Sequence, residues 1–181
     1  MSNRVPSAQR PSGSADAGVI INIDACANTP KNPVVEFLTA GTYEVQFIGK
    51  GKGGLYDAWS RWNFIIGCDD KGENCTTGWL NEYCISSNEF TINVPTTGVF
   101  ATPEQALAKA QNASFTLSSS SNVNFFIGDD RVEDNQGGVS LRVKKVSQPT
   151  SSSSPSPLLA TLAWLVILVG SAIVSWYIFD P

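Results

Sequence analysis

Thr42-Tyr43-Glu44-Val45-Gln46-Phe47-Ile48 sets Tyr43, Val45 and Phe47 against Thr42, Glu44 and Gln46. A period of two is the signature of a strand with one face in a core and one in water. Outward from it the same grammar repeats as short apolar runs separated by turn residues: Val19–Ile23, Val34–Leu38, Asn63–Ile66, Glu82–Ile85, Glu89–Val94, Ala113–Leu117, Asn124–Ile127 and Val139–Val143. Only Pro103–Gln111 has helical composition, with Thr102 placed as its N-cap and Glu104 in its first turn. Eight or nine strands with one short helix predict an all-β fold, an antiparallel β-sandwich, most economically a jelly roll.

Composition divides the chain around that sandwich. Residues 1–17 are polar and turn-rich, and read as an N-terminal arm. Residues 18–146 are the sandwich head. Residues 147–157 hold six Ser and three Pro and read as a linker, about 34 Å long if extended like polyproline. Leu158–Phe179 is 22 residues without a charged side chain. At about 1.5 Å of rise per residue it matches the ~30 Å hydrocarbon core of a bilayer, so a single transmembrane helix is expected there. Gly170, Ser171 and Ser175 offer a small-residue face for helix packing.

Charge and residue types narrow the function. The chain has 12 Lys and Arg against 16 Asp and Glu, for a net charge of −4, and no basic cluster longer than Lys144-Lys145, which argues against a nucleic-acid partner. It has no histidine, so Ser-His or Cys-His catalysis cannot be assembled. Glu133 and Asp134 are loop neighbours and show nothing of the separation that glycoside hydrolysis needs. A non-enzymatic protein is expected.

The four cysteines, Cys26, Cys68, Cys75 and Cys84, lack the CxxC spacing of zinc ribbons and read as disulfides. The Gly-containing spacer between Cys68 and Cys75 favours that pair and leaves Cys26 with Cys84. Disulfides imply an oxidising compartment. Arg142, Lys144 and Lys145 before the apolar segment pull the other way, toward a cytoplasmic head, and no apolar stretch in Met1–Asp16 marks a signal peptide. Long domains translocate largely regardless of charge, so an extracytoplasmic head is expected.

Two stretches carry candidate binding chemistry. Gly128-Asp129-Asp130-Arg131-Val132-Glu133-Asp134-Asn135-Gln136-Gly137-Gly138 concentrates carboxylates, an amide and loop carbonyls, the oxygen donors that Ca²⁺ takes; a solvated hairpin loop has the same composition. Its spacing is not that of an EF-hand. In the second stretch, Gly49 to Trp62, glycines allow close backbone approach, while Tyr56, Trp59 and Trp62 supply flat faces for sugar rings or, alternatively, core packing. No phosphate-loop ending follows the glycines. The aromatic stretch Gly78–Tyr83 reads equally as contact surface or core, and the tripeptides Asn74-Cys75-Thr76 and Asn112-Ala113-Ser114 match a glycosylation pattern that is common by chance.

Together the strand Thr42–Ile48, the loop presenting Tyr56, and the later Asp-Asp loop ending in Asp134-Asn135-Gln136-Gly137-Gly138 before a closing strand resemble the bacterial galactophilic lectins and lectin-like jelly-roll domains. The resemblance covers about residues 41–143, and its specificity lies in the final loop. It implies one calcium ion held by the Tyr56 carbonyl, the carboxylate of Asp130 or Asp129, the carbonyl of Arg131 or Val132, and the side chains of Asp134 and Asn135, with sugar hydroxyls completing the shell. The loop here is shorter than the family's, Asp134 replaces a neutral amide, and the family's His and Gln sugar contacts have no counterpart. The sequence thus predicts a membrane-anchored, calcium-dependent carbohydrate-binding module. The alternative is a non-catalytic accessory subunit of a membrane complex, its sandwich capping a partner surface.

Overall fold

The computed structural model describes residues 18–146. Nine strands, one α-helix and a single 3-10 turn at Lys50–Lys52 occur among them: β1 Val19–Asp24, β2 Val34–Leu38, β3 Gly41–Ile48, β4 Trp59–Ser60, β5 Tyr83–Ser86, β6 Thr91–Val94, α1 Pro103–Ala108, β7 Ala113–Leu117, β8 Ser121–Phe126 and β9 Gln136–Lys145. They form two antiparallel sheets. One has the order β1-β9-β3-β7, with β4 paired to the start of β9; the other has the order β2-β8-β5-β6. The chain crosses repeatedly between the sheets, so most strands pair with one distant in sequence; β5 and β6, joined by a short turn, are the consecutive pair.

Parity along the strands builds the core. In β3, Tyr43, Val45 and Phe47 are buried while Glu44 and Gln46 are exposed, as the alternation predicts. Ile21 and Ile23 from β1, Phe115 and Leu117 from β7, and Val139, Leu141 and Val143 from β9 join them. From the facing sheet, Tyr83, Ile85, Val123 and Phe125 complete the apolar layer. Removing that surface from water is the main favourable contribution to the fold. Tyr43 stacks on Phe115 at 5.3 Å between ring centroids, which adds directional packing between β3 and β7.

The helix starts where its cap residues dictate. The Thr102 hydroxyl accepts the Gln105 N–H and the Gln105 side chain returns to the Thr102 N–H, a complete capping box ahead of Pro103. It ends at Ala108, short of the expected Gln111. The Lys109 and Ala110 N–H groups fold back on Ala106 and Leu107, and the Asn112 side chain accepts the Phe47 N–H at 2.9 Å, which commits the chain to β7. Beneath α1, buried Asn81 meets Ala106 O, Thr97 Oγ1, the Thr97 N–H and the Thr96 hydroxyl, so its amide is fully satisfied.

Two expectations need correction. Asn63–Ile66 is not a strand: Ser60 Oγ bonds both the N–H and the carbonyl of Trp62, turning the chain off the sheet. Only an isolated Ile66–Thr77 bridge remains, and Phe64, Ile65 and Ile66 stay exposed. Cys68–Cys75 is a disulfide, but Cys26 and Cys84 are free thiols. Tyr83 and Ile85 point inward, so Cys84 between them points out of the second sheet, whereas Cys26 follows β1 of the first. The N-terminal arm (1–17), the linker (147–157) and the apolar segment (158–179) lie outside the described residues. No helix among the described residues is long and apolar enough to cross a membrane.

Candidate functional site

The start of β9 organises one end of the sandwich. Gly137 and Gly138 follow Asn135-Gln136, and both lack side chains for a geometric reason. Gly137 has φ +75°, a left-handed value that favours glycine, and a Cβ there would strike the Ala58 carbonyl. At Gly138 a Cβ would overlap the Ile23 carbonyl oxygen and lie 2.7–2.8 Å from the Tyr56 ring. The Gly138 N–H bonds Ala58 O, and Ala25 N–H bonds Gly137 O. The two stretches singled out in the sequence therefore meet here: Tyr56 lies over the strand that Asn135 leads into.

Asn135 is buried, with 7% of its surface exposed. Its N–H bonds Val132 O, its carbonyl accepts the Cys26 thiol at 3.0 Å, and its side-chain Nδ2 donates to Ala25 O at 3.0 Å. Its Oδ1 has no partner. Tyr56 is similar: its N–H bonds Ser140 Oγ at 2.9 Å and its hydroxyl donates to Asp24 Oδ2 at 2.9 Å, while among the described residues no hydrogen bond ends on its carbonyl oxygen. Each residue thus has every polar group satisfied except the one oxygen that the lectin resemblance assigns to calcium. Leaving a buried acceptor unsatisfied costs about 1–3 kcal/mol, so an unoccupied Oδ1 is an incentive for a donor or a cation.

The carboxylates of the loop before β9 show different degrees of commitment. Asp129 is occupied: Oδ1 accepts the Arg131 N–H at 2.9 Å, and Oδ2 lies 3.9 Å from Arg61 Nε. Asp130 and Arg131 are exposed, and Asp134 is half-exposed. Among the described residues no three His, Cys, Asp or Glu side chains converge on a point, so a cation here would depend on amide and carbonyl oxygens as well. Burial, followed by the hydrogen bond to Asp24 and its charge, raises the Tyr56 hydroxyl above the usual tyrosine pKa; burial and the Asp24 charge raise the Cys26 thiol.

The aromatic residues divide. Trp59, expected among the sugar-stacking rings, is wholly buried, and its indole N–H donates to Glu82 O at 3.0 Å. As the largest side chain of the core it presents no face to a ligand. Trp62 is half-buried at the rim. The Arg61 guanidinium sits 5.4 Å from the ring centroids of both tryptophans and pairs with Glu82, so cation–π contact and an ion pair hold this rim together.

Three residues that support Tyr56 were not singled out by sequence: Asn22, Asp24 and Ser140. Ser140 sits on the outward parity of β9, where the pattern alone places it in water, and Asn22 and Asp24 occupy the matching positions on β1. The available signal was that β1 breaks its apolar run with Asn and Asp on one face.

No protein-family model matches this chain, and neither the curated proteins nor the solved structures contain a match.

Proposed function

We propose that this protein is a membrane-anchored, calcium-dependent carbohydrate-binding module of lectin-like jelly-roll type. The two antiparallel sheets, with orders β1-β9-β3-β7 and β2-β8-β5-β6, support the jelly-roll reading, an architecture used by lectins among others. The observation that carries the reading is the Asn135 Oδ1, buried and without a partner, at the end of the sandwich where the Tyr56 carbonyl is also unpaired. These are oxygens of the kind that a hard cation takes. Tyr56 O, Asn135 Oδ1, Asp134, one of Asp129 and Asp130, and the carbonyl of Arg131 or Val132 would hold it.

Those oxygens fall short of the roughly six to eight that calcium takes, which leaves coordination positions for vicinal hydroxyls of a sugar. Calcium would supply that coordination and the charge that orders the hydroxyls; the chain supplies a rigid frame and, at the rim, the Trp62 ring. The protein performs no bond chemistry in this reading. In this reading Leu158–Phe179 serves as the membrane anchor, and the head belongs to an extracytoplasmic compartment, where a disulfide forms and calcium is abundant.

Calorimetric titration of the full chain in detergent with Ca²⁺, followed by a glycan array with and without chelator, tests the proposal. The expected result is saturable calcium binding that Asn135→Ala weakens at least tenfold, and glycan binding lost in chelator. A chain that binds neither ion nor glycan overturns it. One observation favours the accessory-subunit reading instead: Phe64, Ile65 and Ile66 are 52%, 41% and 54% exposed in succession beside the Cys68–Cys75 loop, a surface suited to a protein partner. Comigration with a large assembly at fixed stoichiometry in mild detergent would support that reading, and a free monomer would refute it.

A further inference from the structure

On the outer face of the first sheet, β1 and β9 place two register pairs side by side, Asn22 opposite Ser140 and Asp24 opposite Gly138. Three of these four carry polar groups and the fourth carries no side chain. Tyr56 lies on that platform and is pinned at three separate points. Its N–H bonds Ser140 Oγ at 2.9 Å, its hydroxyl bonds Asp24 Oδ2 at 2.9 Å, and its ring packs on Gly138 in the space a methyl group would fill.

The pins are themselves braced. Ser140 is completely buried; its oxygen also accepts the Leu55 N–H at 3.0 Å, and its hydroxyl donates to Asn22 Oδ1 at 2.8 Å. Asn22 Oδ1 receives the Leu55 N–H as well, at 3.0 Å. The other Asp24 oxygen accepts the Cys26 N–H at 2.8 Å, and the Asp24 N–H is taken by Asn28 Oδ1 at 2.8 Å. Gly54 lets the loop descend this far, since a Cβ there would come within 2.7 Å of Ser140 Oγ.

So many fixed contacts on one loop tyrosine restrict its backbone, and the carbonyl oxygen is the polar atom they leave over. A hard cation gains most from oxygens already held in place, because the entropy of ordering them is spent in folding and not in binding. We infer that Ser140, Asn22 and Asp24 are positioning residues that hold Tyr56 with its carbonyl oxygen ready for a divalent cation. The inference rests on the calcium reading above and adds the supporting shell of that site. Partners of this kind typically govern metal affinity by about ten- to a hundredfold.

The test uses the full chain in detergent, with Ca²⁺ as the probe, and compares wild type with Ser140→Ala, Ser140→Thr and Tyr56→Phe. Tyr56→Phe removes the Asp24 pin and keeps the carbonyl. Val123→Ala, which hollows the core from a strand of the other sheet, controls for general destabilisation. Ser140→Ala and Tyr56→Phe are expected to weaken calcium about tenfold or more, with Ser140→Thr restoring most of the affinity. Val123→Ala should lower the melting temperature in chelator without changing affinity. In chelator, amide hydrogen exchange at Leu55 and Tyr56 should accelerate in Ser140→Ala, a readout independent of the ion. If wild type binds calcium and both Ser140→Ala and Tyr56→Phe bind it equally well, the positioning role is wrong while the calcium reading stands; if wild type binds none, the calcium reading itself falls and the inference with it.

Discussion

Replacing Gly138 with alanine adds a single methyl group at the point where both sheet pairing and the candidate site converge. The new Cβ would overlap the Ile23 carbonyl oxygen and sit 2.7–2.8 Å from the Tyr56 ring. Ile23 cannot yield cheaply, since its backbone belongs to the β1–β9 ladder, where Ile23 opposes Val139 and Asp24 opposes Gly138. Tyr56 cannot swing aside without breaking its bond to Asp24. Overpacking of this kind costs about 1–3 kcal/mol, and with backbone on one side and a pinned ring on the other the upper end applies. For a folded region of this size, about 3 kcal/mol lowers the melting temperature by roughly 10 °C. Gly51→Ala is the control, because a Cβ there meets nothing within 4 Å. Thermal unfolding of the full chain in detergent, in chelator throughout, should show Gly138→Ala near that displacement and Gly51→Ala within about 2 °C of wild type. A Gly138→Ala protein that melts with wild type would refute the close packing of Tyr56 on β9.

The disulfide pattern gives a counting experiment: alkylation of the denatured, unreduced chain should add two labels, at Cys26 and Cys84, and four after reduction, whereas no label before reduction would mean that Cys26 and Cys84 are joined. Glu89 gives a pH prediction. The N–H and hydroxyl of Ser118, then those of Ser119, hold its carboxyl below the usual glutamate range near 4.5. The ionised form is the one the fold binds, so its contribution is present above that range and fades as the pH falls through the lowered value. Urea unfolding between pH 6 and pH 3 should therefore show a shallower acid loss in Glu89→Gln than in wild type, and parallel curves would refute the contact.

Much of the fold was legible in one dimension because a half-buried strand writes its burial into alternate residues. Thr42–Ile48 and Val34–Leu38 match β3 and β2 to within a residue, and the Thr102 cap located the start of α1. Asn63–Ile66 misled, since an apolar run also arises where a turn at Ser60 throws hydrophobic side chains outward, and nothing local separates the two cases. Trp59 shows the same limit. An aromatic beside a glycine-rich loop suits a binding face or a core, and it is the pairing of β4 with Gly137 and Gln136 on one side and the bridge to Leu80 on the other that place its ring inside.

The candidate site divides along the same line. Residue type alone marked Asp129, Asp130, Asp134 and Asn135 as oxygen donors and ruled out histidine-based catalysis, because those properties belong to the side chains themselves. Alternation alone determined which faces of the strands are apolar, and the short Cys68–Cys75 spacer marked a local disulfide. Tertiary structure decided the rest: that Asn135 points an unpaired oxygen into a buried place, that Ser140 is covered by the 53–56 loop on a face written as exposed, and that Cys26, in the turn after β1, and Cys84, in β5, remain unbonded. Burial and hydrogen-bond satisfaction depend on which distant segments arrive as neighbours, and here the residues that meet, Asn22, Tyr56 and Ser140, are separated by as many as 118 positions in the chain.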